Sequence, residues 1–94
     1  VSATRAERIH AIGRSAERYG VRLSARDLGY ALWACKTGRA LCLHSGPGGG
    51  VFHVRFSRGT PSAPRYVFVN LLVRGSKVVT ALPPEDGRVR RAWR

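Results

Sequence analysis

Acidic residues are scarce in this chain: five Asp and Glu stand against 17 Lys and Arg in 94 residues, a formal net charge of +12. Chemistry that relies on clustered carboxylates, such as the binding of Mg²⁺ for nucleic-acid hydrolysis, has little to work with here. Glu7 and Asp27 stand at capping positions, Glu85-Asp86 belongs to a turn signal, and Glu17 is alone. Cysteine is equally sparse. Cys35 and Cys42 make no C-x-x-C pair and are too few to staple a disulfide scaffold. No apolar run approaches the ~18 residues of a membrane span, and none near the N-terminus reads as a signal peptide. Lysine is nearly missing as well, with only Lys36 and Lys77 among the 17 bases. Such an arginine bias follows either from GC-rich coding or from the two-pronged grip of guanidinium on phosphate, and composition leaves both open.

Several sequence signatures are absent too. Ser45–Gly50 is rich in glycine, but no helix follows it and no Gly-Lys-Ser/Thr is present, so it reads as a hairpin loop. There is no Gly-x-Ser-x-Gly and no Asp placed to complete a triad. Cys35, Cys42, His44 and His53 are numerous enough for zinc but match no common ligand spacing, and Cys35 falls on an apolar helix face. Buried thiols acting as small hydrophobes account for the cysteines better. The expectation is therefore no metal and no cofactor.

What is present is a folded, basic domain. A 44% hydrophobic share suits one modest core, and residues 1–94 read as a single domain with no internal repeat or linker. The charge is dispersed: residues 1–38 hold seven bases and three acids, residues 39–94 ten and two. A surface of this kind calls for a polyanion, nucleic acid first, then an acidic protein, then anionic lipid.

The first 38 residues read as two helices, spanning about 4–37 in all. Thr4-x-x-Glu7 is a capping box, and Ile9, Ile12, Ala16 and Tyr19 recur at helical spacing up to Gly20. Ser24-x-x-Asp27 is a second capping box, with Leu28, Ala31, Leu32 and Cys35 as the buried face and Thr37-Gly38 as the stop. From Arg39 the period becomes two. Candidate strands are Arg39–His44, Val51–Ser57, Arg65–Val73 and Lys77–Leu82, separated by Gly- and Pro-rich turns, with a basic tail over 88–94. The order predicts an α+β fold, two N-terminal helices packed on one face of a four-stranded antiparallel β-meander.

With carboxylates set aside, His, Arg, Tyr and Thr remain as the reactive set. Metal-free RNA cleavage uses such groups: a base for the 2′-OH proton, an acid for the leaving 5′-oxygen, and cations for the phosphorane. His10, Arg14 and Arg18 fall at i, i+4 and i+8, an accessible stripe on the first helix or simply a solvated polar face. His53 and Arg55 share the polar face of their strand. Arg65 and Tyr66 join them on chemistry alone. Trp33 and Trp93 are isolated aromatics, and no RRM-type aromatic motif is present.

The stretch His10-Ala11-x-x-Arg14-x-x-Glu17-Arg18-Tyr19-Gly20-Val21, followed by Ala25-Arg26-Asp27-Leu28 and Ala31-Leu32, resembles the N-terminal pattern of small bacterial toxin domains. In those a His-x3-Arg helix ends in an Arg-Gly-Ile/Val turn; here Tyr19 is one extra residue before the Gly. Lys77-Val78-Val79-Thr80-Ala81-Leu82-Pro83 is similar to their last strand. These domains belong with the barnase–EndoU–colicin–RelE-like ribonuclease superfamily. The resemblance implies a metal-independent endoribonuclease toxin that cleaves RNA, tRNA or mRNA, to a 2′,3′-cyclic phosphate. It also implies action in the cytoplasm, delivery as the C-terminal part of a secreted toxin, which a chain starting at Val1 would fit, and an acidic immunity or antitoxin partner. By the resemblance His10, Arg14 and Thr80 are site residues. On chemistry His53 complements His10 as acid or base, Arg55 shares the phosphate with Arg14, and Thr80 or Tyr66 orients an oxygen. Arg18, Arg65, Lys77, Arg88, Arg90 and Arg91 would hold RNA backbone. The competing expectation is a non-catalytic basic module of a phage or mobile element, binding nucleic acid or an acidic protein; a structural ribosome-associated protein is a third.

Overall fold

The structure is a computed structural model that describes residues 5–92. Two helices, α1 (Arg5–Tyr19) and α2 (Ala25–Lys36), precede strands β1 (Leu41–Gly46), β2 (Gly49–Ser57), β3 (Tyr66–Arg74) and β4 (Lys77–Ala81), and a short helix α3 (Gly87–Ala92) follows. The strands form one antiparallel sheet in the order β1-β2-β3-β4. The expected α+β meander is what the chain adopts, with α3 added. No described helix is long and apolar enough to cross a membrane.

The second capping box forms as its sequence predicts. Ser24 Oγ accepts from the Asp27 N–H at 3.1 Å, and the Asp27 carboxylate accepts from the Ser24 N–H at 2.8 Å. Thr4 of the first box lies outside the described residues, and the Glu7 carboxylate pairs with Lys77 at 2.8 Å, tying α1 to β4. Gly20, at φ 64°, ends α1 in the left-handed region where a side chain would be strained.

The buried face of α1 follows the large apolar residues only in part: Ile12 and Tyr19 pack, half-buried, against the core. Ile9 is 58% exposed and Ala16 is exposed, whereas Ala11 and Ser15 are fully buried. Small residues let α1 lie close to the sheet, and the Ser15 hydroxyl is satisfied by donating to the Val21 carbonyl at 2.9 Å. The face is thus rotated, and Arg18 comes with it. Its guanidinium donates to the Ala81 carbonyl at 2.7 Å, so Arg18 fastens α1 to β4 and is not part of a free basic stripe.

Helices α1 and α2 cover one sheet face, where Val54, Phe56, Val69, Leu71, Val73, Val78 and Ala81 meet Ala11, Leu28, Ala31 and Ala34. The hairpin between β1 and β2 is tighter than a six-residue loop: pairing continues to Gly46↔Gly49. Gly49 (φ 119°) is required there, because a Cβ would lie 2.5 Å from the Val73 carbonyl oxygen. The basic tail is helical over its described part, and Trp93 and Arg94 lie outside the described residues. Asp86 caps α3 by accepting from the Arg88 N–H at 2.9 Å, and Arg88 closes back on it at 3.1 Å. Val89 is thereby buried against Val51, Leu72 and Leu82, a second small core on the opposite sheet face.

Asp27 also receives Arg58, at 2.9 Å. Partial burial pushes its carboxyl up, but the Ser24 N–H and the Arg58 guanidinium outweigh this and hold it below the ordinary carboxylate range. A depressed carboxyl contributes stability above the unfolded value of ~3.9 and loses it as the pH falls through the folded value. Asp27→Asn is therefore expected to flatten the acid side of the stability–pH curve. Urea unfolding between about pH 6 and pH 2.5 measures this, and an unchanged slope would show that the Ser24–Asp27–Arg58 cluster adds nothing.

Candidate functional site

The face opposite α1 and α2 is divided. Helix α3 covers the end carrying Val51 and Leu72 and leaves the other end open. Strand pairing sets what that open end presents. His53 lies across from Asn70, Arg55 from Phe68 and Ser57 from Tyr66, and all six alternate away from the helix-covered residues Val54, Phe56, Val67 and Val69. Tyr66 is 50% and Phe68 47% exposed, unusual for large rings on a central strand.

These side chains are organised in pairs. The His53 imidazole stacks on Phe68 with centroids 5.0 Å apart and planes 8° from parallel. The Arg55 guanidinium sits 4.6 Å over the Tyr66 ring. Behind them a hydrogen-bond chain enters from α1. Tyr19 Oη donates to the Leu82 carbonyl, Asn70 Nδ2 donates to Tyr19 Oη at 2.8 Å, and Asn70 Oδ1 lies 2.8 Å from His53 Nδ1.

The direction of that chain is fixed at its far end. A carbonyl only accepts, so Tyr19 must donate to Leu82, and its oxygen then accepts the Asn70 amide. This turns Asn70 Oδ1 toward His53, and only a proton on Nδ1 completes the bond. In the neutral imidazole the lone pair therefore sits on Nε2. Burial pushes the Tyr19 phenol above its ordinary value, against the lowering effect of its Asn70 hydrogen bond, so the proton it donates stays in place at neutral pH.

The expected site residues divide into two groups. His53, Arg55 and Tyr66 share the open face, and Arg65 is exposed just before β3. Thr80 pairs with Leu72 and is half-buried, toward the end that α3 covers. His10 is exposed on α1 and Arg14 is held by Glu17 at 3.0 Å; both belong to the helical layer on the other side of the sheet. Of the expected backbone contacts, Lys77 and Arg88 form ion pairs with Glu7 and Asp86, whereas Arg90 and Arg91 are exposed on α3.

Sequence reasoning missed Phe68, Asn70 and Tyr19. A polar Asn70 inside the apolar run Val67–Val73 was the available signal. Burial, with Cys42 nearby, pushes the Cys35 thiol up to about 11, which disfavours its thiolate. Among the described residues no three His, Cys, Asp or Glu gather where they could hold a metal ion. Comparison of the chain with protein families, with characterised proteins and with solved structures finds no match.

Proposed function

We propose that the domain binds single-stranded RNA on the open sheet face and cleaves it without a metal, His53 taking the proton from the attacking 2′-OH. The observation that carries this reading is the directed chain from Tyr19 through Asn70, which puts the imidazole proton on Nδ1 and its lone pair on Nε2, on the sheet face that also carries Arg55. In the step proposed, the 2′-oxygen bonds to phosphorus as its proton passes to Nε2. The bond from phosphorus to the 5′-oxygen breaks, that oxygen takes a proton from water, and the hydroxide left takes the proton from the imidazolium, returning His53 to its neutral form. Arg55 offers two N–H groups to the phosphate oxygens as their charge grows. Phe68 and Tyr66 supply ring faces for the bases. The resemblance to small toxin domains points the same way, as does a surplus of twelve basic residues over acids. An acidic inhibitor would be attracted to the same face. Action on cytoplasmic RNA after delivery within a secreted toxin is part of this proposal.

The test is incubation of the purified protein with total RNA and with tRNA in EDTA. Fragments ending in a 2′,3′-cyclic phosphate and a 5′-OH are expected. Intact RNA, or cleavage abolished by the chelator, would sink the reading.

A second reading rests on a specific observation: His10, the complement expected for His53, lies in the helical layer on the other side of the sheet. A face with aromatic rings and a cation but without that complement also suits binding without cleavage. Tight RNA binding in EDTA with the RNA recovered intact would favour it.

A further inference from the structure

Strand β1 stops pairing at Leu41↔His53, whereas β2 continues to Ser57, so among the described residues no strand covers the β1 side of residues 54–57. Helix α2 passes this free edge, and between them lies a cleft of ≈ 470 Å³ lined by Arg26, Tyr30, Arg55, Arg58 and Tyr66 together with Asp27. Resting on the RNA-binding reading above, we propose that this cleft is a nucleotide subsite, which takes the base and phosphate of a residue a step or two along the strand from the one beside His53.

Charge selects the phosphate. Three arginines line the cleft against one carboxylate, and that carboxylate is already engaged by the Ser24 N–H and by Arg58 at 2.9 and 3.3 Å. Arg58 is thus neutralised and held 5.5 Å from the Phe56 ring as part of the wall. Arg26, exposed in the first turn of α2, and Arg55 remain as the cations a phosphate would meet.

Ring faces select the base. Tyr30 projects from α2, 42% exposed and braced by Phe56 at 5.9 Å and Trp33 at 5.8 Å, so its position is set by packing. Tyr66 lies on the other side with Arg55 over its ring. A base entering between the cleft walls stacks on tyrosine or guanidinium, and the volume falls within the ~300–1,000 Å³ range of small-molecule sites. Arg55 and Tyr66 belong to both the cleft and the open face, so one strand can occupy the two in sequence. His53 and Ser57 are four residues apart along β2, roughly 13 Å, farther than a single nucleotide's base and phosphate need. Both positions require an unpaired, splayed base, which makes the strand single and excludes a duplex.

The test measures binding of uncleavable 2′-O-methyl oligonucleotides to the whole chain in EDTA, by fluorescence anisotropy for a dimer and a tetramer and by calorimetry for 5′-AMP. The wild type is expected to bind the tetramer more tightly than the dimer. The Arg26→Gln, Tyr30→Leu double variant should weaken the tetramer ~10- to 100-fold and leave the dimer unchanged. Tyr30→Phe should retain the wild-type affinity, because it keeps the ring. Phe68→Ala, on the open face, should weaken dimer and tetramer alike. A double variant that binds the tetramer normally while Phe68→Ala does not would overturn the subsite and spare the RNA-binding face. 5′-AMP binding as tightly as the tetramer would overturn it in favour of a free-nucleotide pocket. No oligonucleotide binding by the wild type would overturn the face and the subsite together.

Discussion

His53→Ala is expected to lower the cleavage rate ~10²- to 10⁴-fold, the usual contribution of a positioned acid–base group, in a protein that still folds. Its stability should fall by about 1–3 kcal/mol, because the stacking on Phe68 is lost and the buried Asn70 oxygen loses its imidazole partner, while the helix-covered core is undisturbed. Added imidazole should restore part of the lost rate, since the vacated position above Phe68 admits a small base. Asn70 acts through His53 and is a positioning residue, so Asn70→Leu should lower the rate by less, in kcat and not in KM, and imidazole should not rescue it. Tyr19→Phe removes the phenolic group that orients Asn70 and leaves the Leu82 carbonyl and the Asn70 amide without their partner, at a cost of about 1–3 kcal/mol in stability. Full cleavage in His53→Ala, with loss in His10→Ala or Arg14→Ala, would move the chemistry to α1 and end the case for the open face.

The architecture was legible because its signals are local. Two capping-box sequences, a change of period from helical to two at Arg39 and Gly-rich breaks are enough to give two helices and a four-stranded meander. Helix phase was legible only in part, because periodicity counts large apolar side chains: Ile12 and Tyr19 do face the core, but the fully buried positions of α1 are Ala11 and Ser15, and Ile9 stays in solvent. Nothing in the run Gly87–Ala92 marks a helix beyond Asp86 before it, since one Val89 among three arginines carries no period; α3 forms because Val51 and Leu72 await cover. The site was half legible. Alternation in β2 put His53 and Arg55 on one face and chemistry added Tyr66, but Phe68 and Asn70 lay hidden in an apolar run that reads as a central strand. The sheet is central there in order only. Part of the face turned away from α1 and α2 stays open, and how much depends on where α3 packs, a tertiary fact that no local pattern records.

Phe56→Ala is expected to have the largest effect on stability. Phe56 is 2% exposed and belongs to the helix-covered core, and it supports the Tyr30 ring from beneath. Truncating a buried phenylalanine costs about 3–5 kcal/mol, through the lost transfer energy and the cavity left behind. A domain of this size has about 5–15 kcal/mol in total, so the variant should melt ~15–30 °C lower or be partly unfolded at room temperature. Phe56→Leu keeps most of the volume and should cost below ~1.5 kcal/mol. Ile9→Ala, which the sequence pattern places in the core, should change stability by no more than ~0.5 kcal/mol, because the side chain is mostly in solvent. Thermal unfolding followed by circular dichroism separates the three, and a large loss at Ile9 would contradict the rotated face of α1. The folded Phe56→Leu variant then links core to site. With the aromatic brace under Tyr30 gone, its affinity for the tetranucleotide should fall while that for the dinucleotide holds, because only the cleft at the edge of β2 depends on that ring.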